Sequence, residues 1–291
     1  MTESATAGSR LMLIGPALLG ATSFACADVL SKMTLKSGAD VLTVSTVRGV
    51  LGLVLLTLWL QVGAPRGVLA PRARWVALGL GVLFAGNVFL LFLAIDRVEV
   101  PVAILTYFVY PLLTGLAAAA TGVEPLSWRG AAAALAAFFG LALMIGAHPT
   151  ELAVAGIIAA LAAACCRVVL LLVTRVHLQG SDPQRVTWYS LFSSTVVFVA
   201  ASLATLSWQP PATAAGWFAL IALAVTTTTG ILGVFASTGK IGPFRTALFM
   251  NLEPLLATAG SALILGEVIT PVQAVGGAIM IAALVAFQLR R

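Results

Sequence analysis

Residues 107–124 read YFVYPLLTGLAAAATGVE, and residues 250–267 read MNLEPLLATAGSALILGE. Laid over one another at an offset of 143, they set Pro111-Leu112-Leu113 on Pro254-Leu255-Leu256 and Glu124 on Glu267. Leucine on leucine carries little weight in so apolar a chain; proline and glutamate in order do. Working outward at offsets of 141 to 143, Trp75 meets Trp217, and Gly38-Ala39-Asp40 meets Gly180-Ser181-Asp182. The chain is therefore read as an internal duplication, with a first repeat over 1–147 and a second over 148–291.

The solvent of this duplication follows from composition. Of 291 residues, 60% are apolar and 9% charged, and the mean hydropathy is +1.08. Soluble domains carry about 25% charge, and a globule of this size with so little could not cover its surface in water. The net charge of +6 is scattered between apolar runs, not clustered, which argues against nucleic acid as a partner. Nothing points to a protein partner; the bilayer is the partner composition demands. Cys26, Cys165 and Cys166 lie inside apolar runs, and His148 and His177 at segment ends, so neither a disulfide framework nor a metal site is expected. The apolar run after Glu3 and Arg10 is too long for the core of a cleaved signal peptide.

Apolar runs between turn signals predict ten crossings: 10–32, 40–63, 74–95, 99–121, 127–146, 152–175, 185–206, 213–236, 242–265 and 271–289. Each is close to the roughly 20 residues that a bilayer core requires. Breakers such as Gly63-Ala64-Pro65, His148-Pro149 and Gln209-Pro210-Pro211 separate them; no such cluster marks the divisions 95/99 and 236/242. With the N-terminus inside, eleven Lys and Arg fall on the inner side and three on the outer, with Arg48 and Arg167 inside spans. That bias predicts both termini cytoplasmic. Five crossings per repeat force the second copy to enter from the opposite face, giving two inverted repeats around a central cavity. This is the architecture of alternating-access carriers.

Polar residues at depth are the candidates for a site. Pro111 and Pro254, mid-span and matched, remove a backbone donor and expose the carbonyls of Tyr107 and Met250; they are either hinges of the site or shapers of packing. Glu253 at mid-bilayer is a substrate-ammonium or proton group, or else a neutral structural carboxyl; its counterpart is Tyr110. Asn251 lies on another face and needs its own partner. Asn87, with Phe84, Phe89 and Phe92 around it, and Tyr107, Phe108 and Tyr110 suit a planar apolar side chain, or are simply packing. Phe24 joins this substrate-binding set. Arg167 either snorkels or faces the cavity as an anion partner. Asp28, Lys32 and Arg48 read as structural pairing or a carboxylate clamp, Thr226 to Thr229 as self-bonded, and Trp188-Tyr189 as an interfacial belt. Glu124 and Glu267 read as caps of loop turns. No catalytic, nucleotide or metal motif is present, so no cofactor and no enzymatic activity are expected.

Each repeat closes on Pro-Leu-Leu, a Glu-bearing turn and a Gly-containing last helix, a pattern that resembles the EamA family of the drug/metabolite transporter superfamily. The second copy carries it best, in Glu253-Pro254-Leu255, Gly266-Glu267, Gln273 and Gly276-Gly277; the first departs at Val123 and Pro125. Within that family the aromatic amino-acid exporters of the YddG type are similar. The resemblance implies a ten-helix basket with helices 1, 3, 4, 6, 8 and 9 around the cavity. It also implies export of amino acids or related metabolites across a bacterial inner membrane. Carriage of another metabolite or drug, or service as a lipid-linked-sugar flippase subunit, are the alternatives.

Overall fold

The computed structural model describes residues 2–62, 68–146 and 153–289, with side chains from residue 12 to residue 287. The expected turns at 63–65 and 148–149, and Arg66, Arg290 and Arg291, lie outside the described residues, as do the side chains of Glu3 and Arg10. The described residues form twelve helices and no strand: α1 (Thr2–Lys36), α2 (Val41–Val62), α3 (Pro71–Arg97), α4 (Val100–Tyr107), α5 (Tyr110–Ala120), α6 (Trp128–Ile145), α7 (Val154–His177), α8 (Pro183–Thr205), α9 (Ala214–Ile241), α10 (Pro243–Met250), α11 (Leu252–Leu265) and α12 (Pro271–Leu289).

Among the described residues nine spans are long and apolar enough to cross a bilayer, and Pro271–Phe287 is a shorter apolar helix at the place of the tenth expected crossing. Two spans, Val100–Ala120 and Pro243–Leu265, are built from two helices each. Here the structure differs from the sequence expectation of prolines inside continuous helices. The chain breaks just before them, at Phe108–Val109 and at Asn251. Pro111 thus lies in the first turn of α5 and Pro254 in the first turn of α11, where a missing N–H removes no helical hydrogen bond. The unmarked divisions also resolve: α4 starts after an extended Glu99 and ahead of Pro101, and Gly242 turns at φ 93° ahead of Pro243.

The matched Gly-x-Asp triplets do matched work. Gly38 and Gly180 turn the chain at φ 91° and 81°, a conformation glycine adopts without steric cost. Asp182 then caps α8 by accepting from the Gln184 N–H at 3.0 Å. Asp40 caps α2 through the Leu42 and Thr43 N–H groups at 2.9 and 3.0 Å. It also accepts from the Gln209 N–H (2.8 Å), the Ser207 hydroxyl (3.2 Å) and the Thr43 hydroxyl.

The chain divides into two compact units, Met1–Ala85 with His177–Ser237, and Gly86–Val176 with Thr238–Arg291. In the first, α2 and α8 pack antiparallel: Gly49 meets Thr195, Gly52 meets Leu191, and the Trp188 indole donates to the Thr57 hydroxyl at 2.8 Å. The Ser190 and Ser193 hydroxyls of α8 donate to the carbonyls of Ala77 and Leu78 on α3 at 2.8 and 2.7 Å. Small residues and hydroxyls are the usual means of joining helices in lipid, where apolar burial alone drives no association.

In the second unit α6 and α12 pack antiparallel, Gly140 facing Gly276 and Met280, and Gly276 facing Gly140 and Met144. A second contact layer is made of Ala94, Ala103, Ala159 and Ala160, all nearly or wholly buried with Val98 and Val102. Alanine-lined α7 can therefore lie close against its neighbours, and that closeness positions the side chains described next.

Candidate functional site

Arg167 emerges from the buried face of α7, one turn beyond Ala163, and is 7% exposed. A guanidinium so deep in an apolar protein needs counter-groups, since an uncompensated buried charge costs several kcal/mol, on the order of 3–5. Three are supplied. Its Cζ lies 5.8 Å over the ring of Tyr110, within cation–π range. It hydrogen-bonds the Tyr110 side chain, and it interacts electrostatically with the Glu253 carboxyl and the Tyr107 hydroxyl. The snorkelling reading of Arg167 is thereby replaced: the side chain points inward.

The break at Phe108–Val109 shapes the aromatic side of this site. Tyr107 and Tyr110 approach to 5.4 Å between ring centres, and Phe108 lies 5.5 and 5.7 Å from them. Tyr110 and Phe108 are buried, while Tyr107 and Glu253 are only half-buried. The arrangement is a buried cation and phenol with one carboxylate and one tyrosine at its accessible margin. Glu253 stands in the first turn of α11, where the positive end of the helix dipole favours a carboxylate.

Other sequence candidates fall differently. The Asn87 side-chain amide donates to the Ala163 carbonyl at 2.6 Å, so it ties α3 to α7 one turn below Arg167. Met250 and Asn251 are completely or almost completely buried at the α10–α11 break. Phe24 and Phe84 belong to the first unit, where a Cβ placed on Gly230 would meet the Phe24 ring at 3.0 Å. Asp28 and Arg48 interact electrostatically there as well. The Thr226, Thr228 and Thr229 hydroxyls donate to the carbonyls four residues back. Trp188 stacks on Phe192 at 5.6 Å.

Sequence reasoning missed the reach of Glu124. It caps a helix from a distant part of the chain, accepting from the Phe244 N–H of α10 at 3.0 Å and pairing with Arg245 at 3.5 Å. The only signal was its match to Glu267, which does not reveal a partner 120 residues away.

No group of three or more His, Cys, Asp or Glu side chains able to hold a metal occurs among the described residues. Compared with known proteins, the model of the EamA-like transporter family matches the chain twice, over residues 11–146 and 154–287. A search of curated proteins finds no match. One solved crystal structure superposes with a TM-score of 0.80, covering 95% of this chain and 99% of its own at 20% identity; that likeness shows a shared fold.

Proposed function

The chain belongs to the EamA-like transporter family, a family of membrane carriers of small substrates rather than enzymes, and from that premise we propose that it exports amino acids, favouring large apolar and aromatic ones. The observation that carries this reading is the buried Arg167 held with Tyr110, Tyr107 and Glu253 within one unit. An amino acid offers a carboxylate for the guanidinium and an ammonium for the carboxylate. A flat apolar side chain suits the cluster of Tyr107, Phe108 and Tyr110 rings. Asn87, Met250 and Asn251 of the same unit join the proposed substrate-binding set, with Pro111 and Pro254 as its hinges; Phe24 and Phe84 are proposed as substrate-binding residues of the other unit.

Alternating access by two inverted repeats, 1–147 and 148–291, would expose such a site to each side in turn. Support comes from the double family match and from antiparallel packing of α2 on α8 and of α6 on α12, pairs that occupy equivalent places in the two repeats. The proposed setting is a bacterial inner membrane, both termini cytoplasmic. Uptake of labelled Phe or Trp into inverted vesicles tests the reading. Uptake above that of protein-free vesicles is expected; equal uptake overturns it.

A further inference from the structure

A cavity of about 350 Å³ lies apart from the Arg167 site, bounded by the α5–α6 turn, the start of α10 and the end of α12. Its charged lining is Arg129, Arg245 and Glu124. Both oxygens of Glu124 are engaged, one by the Phe244 N–H at 3.0 Å and the other by Arg245 at 3.5 Å. The carboxylate therefore offsets one arginine and leaves the cavity with one net positive charge. Arg129 is exposed, and its Cζ stands 5.5 Å over the ring of Trp128.

The rest of the cavity is apolar. Phe244 and Phe287 meet edge to face at 6.2 Å and form part of its wall. Phe244 is fixed in turn, because a Cβ on Gly115 or Gly130 would fall 2.8 Å from its ring. Trp128, 76% exposed, opens the apolar span Trp128–Ile145. An exposed indole at the end of a span marks headgroup depth. A cationic fork, an apolar wall and an interfacial tryptophan together match a ligand with an anionic head and a hydrocarbon body.

We propose that this cavity binds the phosphodiester headgroup of an anionic phospholipid, with Arg129 as its main cationic contact, Arg245 as the second, and the glycerol and acyl portion along Phe287. The site is separate from substrate carriage and stands or falls without it. The test uses the full chain in neutral detergent, titrated with phosphatidylglycerol, phosphatidylcholine or inorganic phosphate while thermal melting is followed. Phosphatidylglycerol raises the melting temperature of the wild type, and the other two do not. Arg129→Gln needs about five-fold more phosphatidylglycerol for the same rise, the factor one arginine contributes at an anionic lipid surface, and Arg129→Lys needs an intermediate amount. Arg72→Gln, on an exposed arginine elsewhere, titrates as the wild type does. An unchanged titration in Arg129→Gln overturns the proposal. So does an equal rise with inorganic phosphate, which marks a free-anion site, or with phosphatidylcholine, which marks general lipid solvation.

Discussion

At the scale of single residues, the account turns on how a guanidinium is kept in an apolar interior. Arg167 interacts electrostatically with the half-buried Glu253, and removing the cation leaves that carboxyl and the Tyr110 phenol without it, so Arg167→Gln is expected to destabilise the protein by roughly 1–3 kcal/mol and to abolish uptake. The double variant Arg167→Gln/Glu253→Gln strands no charge; melting should show most of the stability restored while uptake stays absent. A double variant as unstable as Arg167→Gln alone would separate Glu253 from the pair. Asp40 gives a second prediction outside the spans. Burial pushes its pKa up, but hydrogen bonds from Thr43, Gln209 and Ser207 outweigh this and hold it below the ordinary value. A depressed folded pKa means stability present above the unfolded value near 3.9 and lost as pH falls through the folded one. Asp40→Asn should therefore cost stability at neutral pH, with the gap to wild type closing as pH falls below about 4. Asp40→Ala, which also loses the cap, should cost about 1 kcal/mol at pH 7 by chemical unfolding.

At the scale of elements, the spans were legible because each apolar run is bounded by glycine, proline or charge, and lipid tolerates little else between them. The breaks at Phe108–Val109 and Asn251 were not: a proline signals a missing donor, not whether the helix bends through it or restarts before it. The sequence left Arg167 open between snorkelling and facing inward, since periodicity gives a face but not what packs on it, and the acceptor for Asn87 is a backbone carbonyl that no side-chain pattern reveals. The Gly-x-Asp caps were legible as turns in both copies. What holds α6 to α12 is close backbone approach. A Cβ on Gly140 would lie 2.6 Å from the Gly276 carbonyl oxygen and 3.0 Å from the Met280 nitrogen. Gly140→Leu should cost about 1–3 kcal/mol of overpacking or prevent folding, read by melting or by yield of monodisperse protein. Gly79→Ala, with nothing within 4 Å of the added carbon, should leave melting within about 0.5 kcal/mol of wild type.

At the scale of the molecule, each compact unit takes helices from both halves of the sequence, so the repeat is a feature of the chain that neither unit contains whole. Inversion of the two copies predicts that the turns after α5 and α11 face opposite sides of the membrane. Single cysteines at Thr121 and Val268, both exposed, should be labelled by an impermeant thiol reagent from opposite sides of sealed vesicles; labelling from one side would refute inversion. The most direct test of the central claim, that one buried cation and one carboxylate together hold a zwitterion, is a comparison of three labelled solutes in proteoliposomes: phenylalanine, phenethylamine and phenylpropionate. The account predicts protein-dependent uptake of phenylalanine alone, because each analogue leaves one of Arg167 and Glu253 without its exchange partner. Uptake of either singly charged analogue as fast as phenylalanine would contradict it.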